Sequence, residues 1–348
     1  MYSDTYWQQI EQVATSNESY EALFGKTVLI TGATGLVCSS VVDLLLVLNK
    51  VKNADIKVVI AGRSEAKVGA FFAHHANRDA LSFTPFDATD TSVAPFRGSI
   101  DYVIHAASNA TPSEFAAHPI DTILANVLGL NNLLSAAVKS SVKRVLYVSS
   151  SEVYGSNKTG DPYLETDYGP IDVLNSRAAY PLSKQTGESL CISYGVEHDL
   201  DTVIVRPGHI YGPLVNKYDN RASAQFARMV KSGSDIVLKS DGKQLRSYCH
   251  ALDCASAMLT VLVAGASGNA YNISNPHSIC TISELAAEIA KAGNVKVVFE
   301  APTDGEKRVF NMMDNSSLNS TKLEGLGWTP CFDLESGINN MPEDFNEI

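Results

Sequence analysis

The sequence has no long apolar run. Its longest, Val41 to Leu48, carries Asp43 and falls short of the ~20 residues a bilayer span needs, so no membrane association is expected. Basic residues are scarce relative to acidic ones: 27 Lys and Arg against 38 Asp and Glu, a formal charge of −11. That balance keeps a chain soluble and argues against nucleic acid or an anionic lipid surface as the main partner, since both call for a basic face. A local basic pocket for phosphate is still compatible with it. The opening residues, MYSDTYWQQIEQVA, lack a basic segment followed by an apolar one, so no signal peptide is expected and the cytoplasm is the expected location. The six cysteines, at 38, 191, 249, 254, 280 and 331, include no CxxC pair. Cys249-His250 with Cys254 lacks a second half that would complete a metal site, so these read as buried thiols of a reducing compartment and no metal is expected. Internal repeats and low-complexity tracts are missing too.

What is present is a chain of 348 residues, 45% hydrophobic and 19% charged, enough to bury a large core in two domains sharing an interface. Residues 1–23 read as a polar, amphipathic helical extension with Trp7, Ile10 and Val13 on its apolar side. Six short apolar strands then follow: Lys26–Thr31, Lys57–Ala61, Leu81–Phe86, Asp101–His105, Arg144–Ser149 and Thr202–Arg206. Helical stretches such as Leu36–Leu48 and Pro119–Ser140 lie between them. Continuous apolar strands alternating with helices predict an α/β fold, a doubly wound parallel sheet covered on both faces, with its ligand beyond the carboxyl ends of the strands. Residues 24–205 are therefore a Rossmann-type dinucleotide-binding domain. After Arg206 the alternation loosens, so 206–348 reads as a smaller mixed α/β substrate domain that sends some segments back to the first.

The turn after the first strand reads Thr31-Gly32-Ala33-Thr34-Gly35-Leu36-Val37-Cys38. Gly32 and Gly35 permit a tight turn and close approach of a pyrophosphate to the backbone, at a helix N-terminus whose free N–H groups favour anions. Gly32, Thr34, Gly35 and Leu36 are the cofactor-binding candidates here. Cys38 replaces the usual third glycine, at a place that mainly needs a small residue. The second strand ends in Ala61-Gly62-Arg63-Ser64, without the carboxylate that normally chelates the adenosine ribose. Arg63 and Ser64 would instead suit a 2′-phosphate, which favours NADP over NAD; Arg63 as a solvated loop residue fits equally. Asp87, after the third strand, is placed to meet the adenine edge, or to cap its own turn.

Tyr180-Pro181-Leu182-Ser183-Lys184 puts Tyr180 and Lys184 on one face of a helix, roughly 30 residues beyond a strand ending in Ser149-Ser150-Ser151, where a parallel-sheet site should lie. A hydride leaves a sugar carbinol only if the hydroxyl proton is taken. A phenol is a poor base at its free pKa of ~10, and a nearby ammonium and a nicotinamide charge are expected to lower it. Lys184 is also placed to bind the nicotinamide ribose, and Ser150 to donate to the developing oxyanion.

With these motifs the chain resembles the extended short-chain dehydrogenase/reductases, the NAD-dependent nucleotide-sugar epimerases, dehydratases and decarboxylases. The likeness spans about Lys26 to Ile338. It includes His105-Ala106-Ala107, Asn126-Val127-Leu128-Gly129, Ser150-Ser151-Glu152-Val153-Tyr154-Gly155, Arg206-Pro207 with Tyr211-Gly212-Pro213, and Leu326-Gly327-Trp328-Thr329-Pro330. The resemblance implies that Ala106 and Ala107 pack along the dinucleotide and that Asn126 braces the fourth-strand region. It implies that Arg246, and also Arg221, meet the nucleotide diphosphate, for which a planar fork is suited; either is equally able to form a surface ion pair. It implies a nucleotide-sugar substrate and a homodimer formed through the helix bearing Tyr180.

The reaction turns on the residues after Ser150. The resemblance implies that a Glu at 152 removes the C5 proton in 4,6-dehydratases, after an Asp that protonates the leaving hydroxyl. Here that Asp is Ser151, a poor general acid. Ser151-Glu152, with Arg177 three residues before Tyr180, resembles UDP-glucuronate decarboxylases. Oxidation of a uronic acid at C4 creates a β-keto acid that loses carbon dioxide readily, with Ser150 and Tyr180 holding the enolate. Glu152 and Arg177 as a structural ion pair is the plainer alternative. Single reduction of a keto-sugar nucleotide by NADPH is the competing reaction, and 4-epimerisation and 4,6-dehydration stay open. A non-catalytic dinucleotide sensor would have no use for the Ser/Tyr/Lys set.

Overall fold

The run Thr27–Thr31 forms β1 of a computed structural model that describes residues 2–75, 78–92, 95–96, 98–156, 160–215, 217, 219–302, 314–339 and 346–347. Within the expected second domain, residues 216, 218, 303–313, 340–345 and 348 lie outside the described ones. The further strands are β2 Lys57–Gly62, β3 Leu81–Pro85, β4 Tyr102–His105, β5 Arg144–Val148, β6 Thr202–Pro207 and β7 His209–Tyr211. They continue as β8 Leu214–Val215, β9 Ile236–Leu238, β10 Leu245–His250, β11 Asn269–Ile273, β12 Ile279–Thr281, β13 Val297–Phe299 and β14 Asn315–Ser316. The helices are α1 Asp4–Thr15, α2 Leu36–Lys52, α3 Glu65–Phe71, α4 Pro112–Ala117, α5 Pro119–Leu124, α6 Leu130–Lys139, α7 Ala179–His198, α8 Ala222–Lys231, α9 Ala251–Ala264 and α10 Ile282–Ala292.

Seven parallel strands form the main sheet in the order β11-β6-β5-β4-β1-β2-β3. Side chains alternate across it with the period of two that a strand imposes. Val28, Ile30, Ile60, Ile104 and Leu146 face the layer of α1, α2 and α9. Leu29, Val103, Val145, Tyr147 and Ile204 face α6 and α7. Burying each aliphatic side chain in this way contributes roughly 1.5–3 kcal/mol, and that is why the inner strands stand out as apolar runs, while β3 at the sheet edge alternates and has no fully buried residue. The order reverses between β1 and β4, and the crevice outside their carboxyl ends is the natural ligand site of such a sheet.

The chain beyond Arg206 does return. β11 adds the seventh strand beside β6, and α9 packs lengthwise on α2. Trp328 is buried and donates its indole N–H to Ser256 on α9 at 2.8 Å. A second, smaller core joins α8 and α10 around Phe226, Ile236, Tyr248, Leu285 and Ile289, with β10 between β12 and β14 and also paired to β7.

Two local expectations are corrected. The buried face of α1 is Tyr6, Ile10, Val13 and Ala14, with Trp7 only half-buried at its edge. Asn126 sits in a π turn, Ala125–Gly129, between α5 and α6, and donates to Ser183 Oγ on α7 at 3.0 Å. It therefore braces the helix of Tyr180 and Lys184 and not the fourth strand, because the π turn swings its side chain toward α7.

Candidate active site

The glycine turn is built against β4. Gly32 has φ +69, and a Cβ there would stand 3.0 Å from the carbonyl carbon of Ala106 and 3.1 Å from the amide of Ala107, so only glycine fits both the conformation and the space. Thr31 Oγ1 accepts from the amides of Ala106 and Ala107, both at 3.0 Å, and lies 2.9 Å from His105 Nδ1. A hydroxyl has one proton. Two amides already donate to it, so that proton goes to Nδ1 and the imidazole carries its own on Nε2. Burial and Lys184 push His105 down to about 3, so it stays neutral. Gly35 caps α2 without a side-chain bond, which leaves the first N–H groups of a long helix free to meet an anion. The cradle thus fits a dinucleotide pyrophosphate, with Gly32, Thr34, Gly35 and Leu36 lining it and Ala106 and Ala107 as its floor. Cys38 is buried beneath the turn, in the packing role a small residue fills there.

At the adenosine end, Arg63 is exposed after β2. Ser64 caps α3 by accepting from the Lys67 amide at 3.3 Å. Asp87 closes its own turn, accepting from the Thr89 amide at 2.9 Å and hydroxyl at 2.8 Å. Both are thus engaged locally.

The candidate catalytic residues meet where β5 ends. Ser150 caps a short 3-10 turn, accepting from the Glu152 amide at 3.2 Å, and Ser151 is buried within that turn. Lys184 is buried on α7, donates to the Val148 carbonyl at 2.8 Å, and lies 4.9 Å from the Tyr147 ring and 5.8 Å from the Tyr180 ring. The expected lowering of the phenol does not occur in the protein alone. Burial drives Tyr180 up to about 12, against a hydrogen bond from Ser150, and drives Lys184 down to about 7. Desolvation penalises either charge more than the neighbours compensate.

The sequence pattern concealed the stack that orients Tyr180. Its ring lies 4.8 Å from that of Phe115 on α4, at 10°, and the Arg177 guanidinium lies over the Phe115 ring at 5.6 Å. Arg177 Nη2 donates to Glu152 Oε1 at 3.0 Å, so the ion pair exists, while Glu152 Oε2 is buried without a partner. Arg221 grips Asp219 through Nε and Nη2. It lines a small cleft with Leu36 of the glycine turn and Gly212. Arg246 is buried on β10 and donates to the Leu245 carbonyl at 2.9 Å; among the described residues no carboxylate pairs with it. Glu152 acts on Tyr180 and on Arg246, and Arg221 acts on Tyr180, so these groups share one field.

His209 was not foreseen. It stands between Arg221 and Arg246, which together with burial push it down to about 3, and its Nδ1 is buried without a partner. Its place, just past the carboxyl end of β6, is the signal that could have found it. Arg206 and Tyr154, by contrast, belong to a buried network. Arg206 holds both oxygens of Glu188, at 2.9 and 2.6 Å, and donates to Tyr154 Oη at 3.0 Å.

A Rossmann sheet with a glycine turn at its switch point and a Ser/Tyr/Lys set across the crevice defines a dinucleotide-dependent oxidoreductase-type site. Residues 28–274 match the model of the NAD dependent epimerase/dehydratase family, and the chain belongs to that family. It is 27% identical over 325 residues to UDP-glucuronic acid decarboxylase 6 of Arabidopsis thaliana, covering 91% of this chain and 88% of that protein. Among solved structures, a dTDP-glucose 4,6-dehydratase from Streptomyces venezuelae with NAD bound is 25% identical, with a TM-score of 0.76 over 91% of this chain and 96% of that one. An epimerase from Methanothermobacter thermautotrophicus shares the fold at a TM-score of 0.79, 22% identity and 94% of each chain.

Proposed function

We propose that the protein decarboxylates a nucleotide-linked uronic acid, with UDP-glucuronate as the substrate to test first. The observation that carries this reading is Glu152, fixed by Arg177 through one oxygen and with the other buried and unpartnered, next to Ser151 in place of an acid. A simple epimerisation has no use for that carboxylate, and a dehydration lacks the acid at 151. Tyr180 takes the C4 hydroxyl proton while Ser150 holds the oxygen. The dinucleotide, when bound, would accept the C4 hydride and give it back to C4 after carbon dioxide has left, so that the cofactor is recycled. Loss of carbon dioxide breaks the C5–C6 bond and leaves an enolate whose oxygen Ser150 and Tyr180 hold. Glu152 is placed to relay the proton that returns to C5. Arg246, a buried cation without a carboxylate, is the candidate for the diphosphate, with Arg221 beside it. Incubation with UDP-glucuronate should release carbon dioxide and give a UDP-pentose with no net change in NAD; an unchanged substrate by mass spectrometry refutes the assignment.

The exposed Arg63 supports a second reading, one-way reduction of a keto-sugar nucleotide by NADPH. That reading requires NADP(H) to bind more tightly than NAD(H), a difference that Arg63→Ala should erase. The expected homodimer is supported by apolar side chains facing solvent on α5 and α7. Ile120 is 70% and Val196 82% exposed, and Ile123 and Ile192 lie beside them in the sequence of those helices. The helical stretch Pro119–Lys139 is long and apolar enough to cross a membrane by composition alone, but it packs on α7, and a second copy is the partner we propose for its open side. Light scattering that gives the mass of one chain would refute it.

A further inference from the structure

We propose that Asp43, His74 and His75 form a binding site for a divalent transition metal ion of the zinc type, remote from the chemistry and set beneath the N-terminal helix. Asp43 lies on α2, fully buried in the apolar layer under α1. His74 and His75 follow α3. One donor atom from each residue lies within 4.8 Å of the other two. His75 Nε2 is 2.7 Å from Asp43 Oδ1, and Tyr6 of α1 donates to Asp43 Oδ2 at 3.0 Å.

Those bonds by themselves describe a satisfied Tyr–Asp–His network. His74 is the group they leave over. Its Nε2 is buried and has no partner, a costly arrangement for a ring nitrogen that a small rotation would hydrate. Two imidazoles and a carboxylate are a preferred donor set for zinc, and three protein ligands leave a fourth position for water. With bonds of about 2.0–2.1 Å, a tetrahedral site has edges of roughly 3.4 Å. Closing around an ion therefore means opening the His75–Asp43 contact by about 0.7 Å and drawing His74 inward by up to about 1.4 Å. Both are ring rotations and leave the backbone in place.

The site is roofed by the N-terminal segment. The Tyr2 ring lies 5.2 Å from His74, and the Trp7 ring 5.2 Å from His75. Binding an ion would therefore tie α2, the helix that begins at the dinucleotide turn, to the segment after α3, beneath α1. This role is structural and does not rest on the reaction proposed above.

The test uses the full-length protein, stripped with chelator, incubated with ZnCl₂, desalted, and assayed by elemental mass spectrometry and thermal unfolding. We expect one zinc per chain and a higher unfolding midpoint. His74→Ala leaves the Tyr6–Asp43–His75 bonds in place, so it should fold with an unchanged far-UV spectrum. It should bind zinc more than tenfold more weakly and lose the zinc-dependent rise. Asp43→Asn should do the same. Failure of the unmodified protein to retain zinc, or equal retention by the His74→Ala protein, overturns the site.

Discussion

Thr31→Val replaces a hydroxyl by a methyl of nearly the same shape at a residue with no solvent exposure. The hydroxyl serves three groups at once, the Ala106 and Ala107 amides and His105 Nδ1. His105 is buried, so its orphaned nitrogen bears close to the full desolvation cost of about 1–3 kcal/mol. The two amides belong to half-buried residues and should cost about 1 kcal/mol each. The added methyl returns about 0.8 kcal/mol of burial. The net loss is about 2–4 kcal/mol, which at 1.4 kcal/mol per decade is roughly a 30- to 700-fold fall in the folding constant. Thr31→Ser keeps the hydroxyl and loses only the methyl, so it should cost about 1 kcal/mol. Urea titrations of the three proteins read this directly as midpoint shifts at constant slope. Dinucleotide titrations should show weaker binding only in the Val protein, because Ala106 and Ala107 set the floor against which Gly32 is packed. If Val and Ser proteins unfold at the same urea concentration, the hydroxyl is not the joint between β1 and β4 that the geometry makes it.

Tyr180→Phe should lower turnover by about 10²–10⁴-fold while dinucleotide affinity, measured by fluorescence titration, is retained; near-normal turnover removes Tyr180 from the acid/base role. His209→Ala should raise KM for the nucleotide sugar up to about tenfold with kcat little changed, since one neutral hydrogen bond is worth about 0.5–1.5 kcal/mol, and an unaltered KM would show that its buried Nδ1 faces no ligand. Asp253 supplies the pH test. Burial raises its carboxyl to about 7 despite the Cys331 and Phe332 amides, above the unfolded value of about 3.9. Between these values the unfolded chain has released the proton and the folded one keeps it, so stability falls as pH rises from about 4 to about 7 and then levels. Asp253→Asn should flatten that slope in urea midpoints at pH 5 and 8, and parallel slopes would mean that the carboxyl ionises freely in the fold.

The Rossmann half was legible because its inner strands are buried on both faces and read as apolar blocks, and the edge strand β3 by its alternation; each of the first six falls within a residue or two of its expected bounds. The seventh was not. β11 reads Asn269-Ala270-Tyr271-Asn272-Ile273, and Asn272 is polar for a specific reason: it binds Tyr154 and the Tyr163 and Asn319 carbonyls, partners far away in the chain. α9 is buried on every side through Leu262, and a stretch with so many apolar residues around it has no clear period with which to choose a layer. In the site, Ser150, Tyr180 and Lys184 were legible from spacing, whereas Phe115 and His209 enter only when separate loops fold onto the same crevice. Spacing reports proximity and not burial, and burial dominates both Tyr180 and Lys184 in the protein alone.

The pairing of the cations shapes what each can do to a uronic acid. Arg177 is engaged by Glu152 and Arg221 by Asp219, and among the described residues no carboxylate forms an ion pair with Arg246 or Lys184, the other two cations of the crevice. A carboxylate about to leave as carbon dioxide loses its charge in the transition state, so a strong ion pair to it stabilises the ground state more than the transition state and slows the step. Occupying Arg177 with Glu152 keeps that guanidinium from clamping the reacting group. Glu152→Gln retains the size but removes the charge, and it frees Arg177. For UDP-glucuronate the expected outcome is a lower KM together with a much lower kcat, the signature of added ground-state binding, along with any loss from the missing proton relay. Arg177→Gln in the same background should return KM to its original value and restore the part of kcat lost to ground-state binding, leaving only the loss from the missing relay. For reduction of a keto-sugar nucleotide, which involves no departing carboxylate, both kinetic constants should be little changed by Glu152→Gln. A Gln protein that decarboxylates at the normal rate, or that loses kcat with KM raised, would place Glu152 outside this balance and leave its pair with Arg177 a purely structural one.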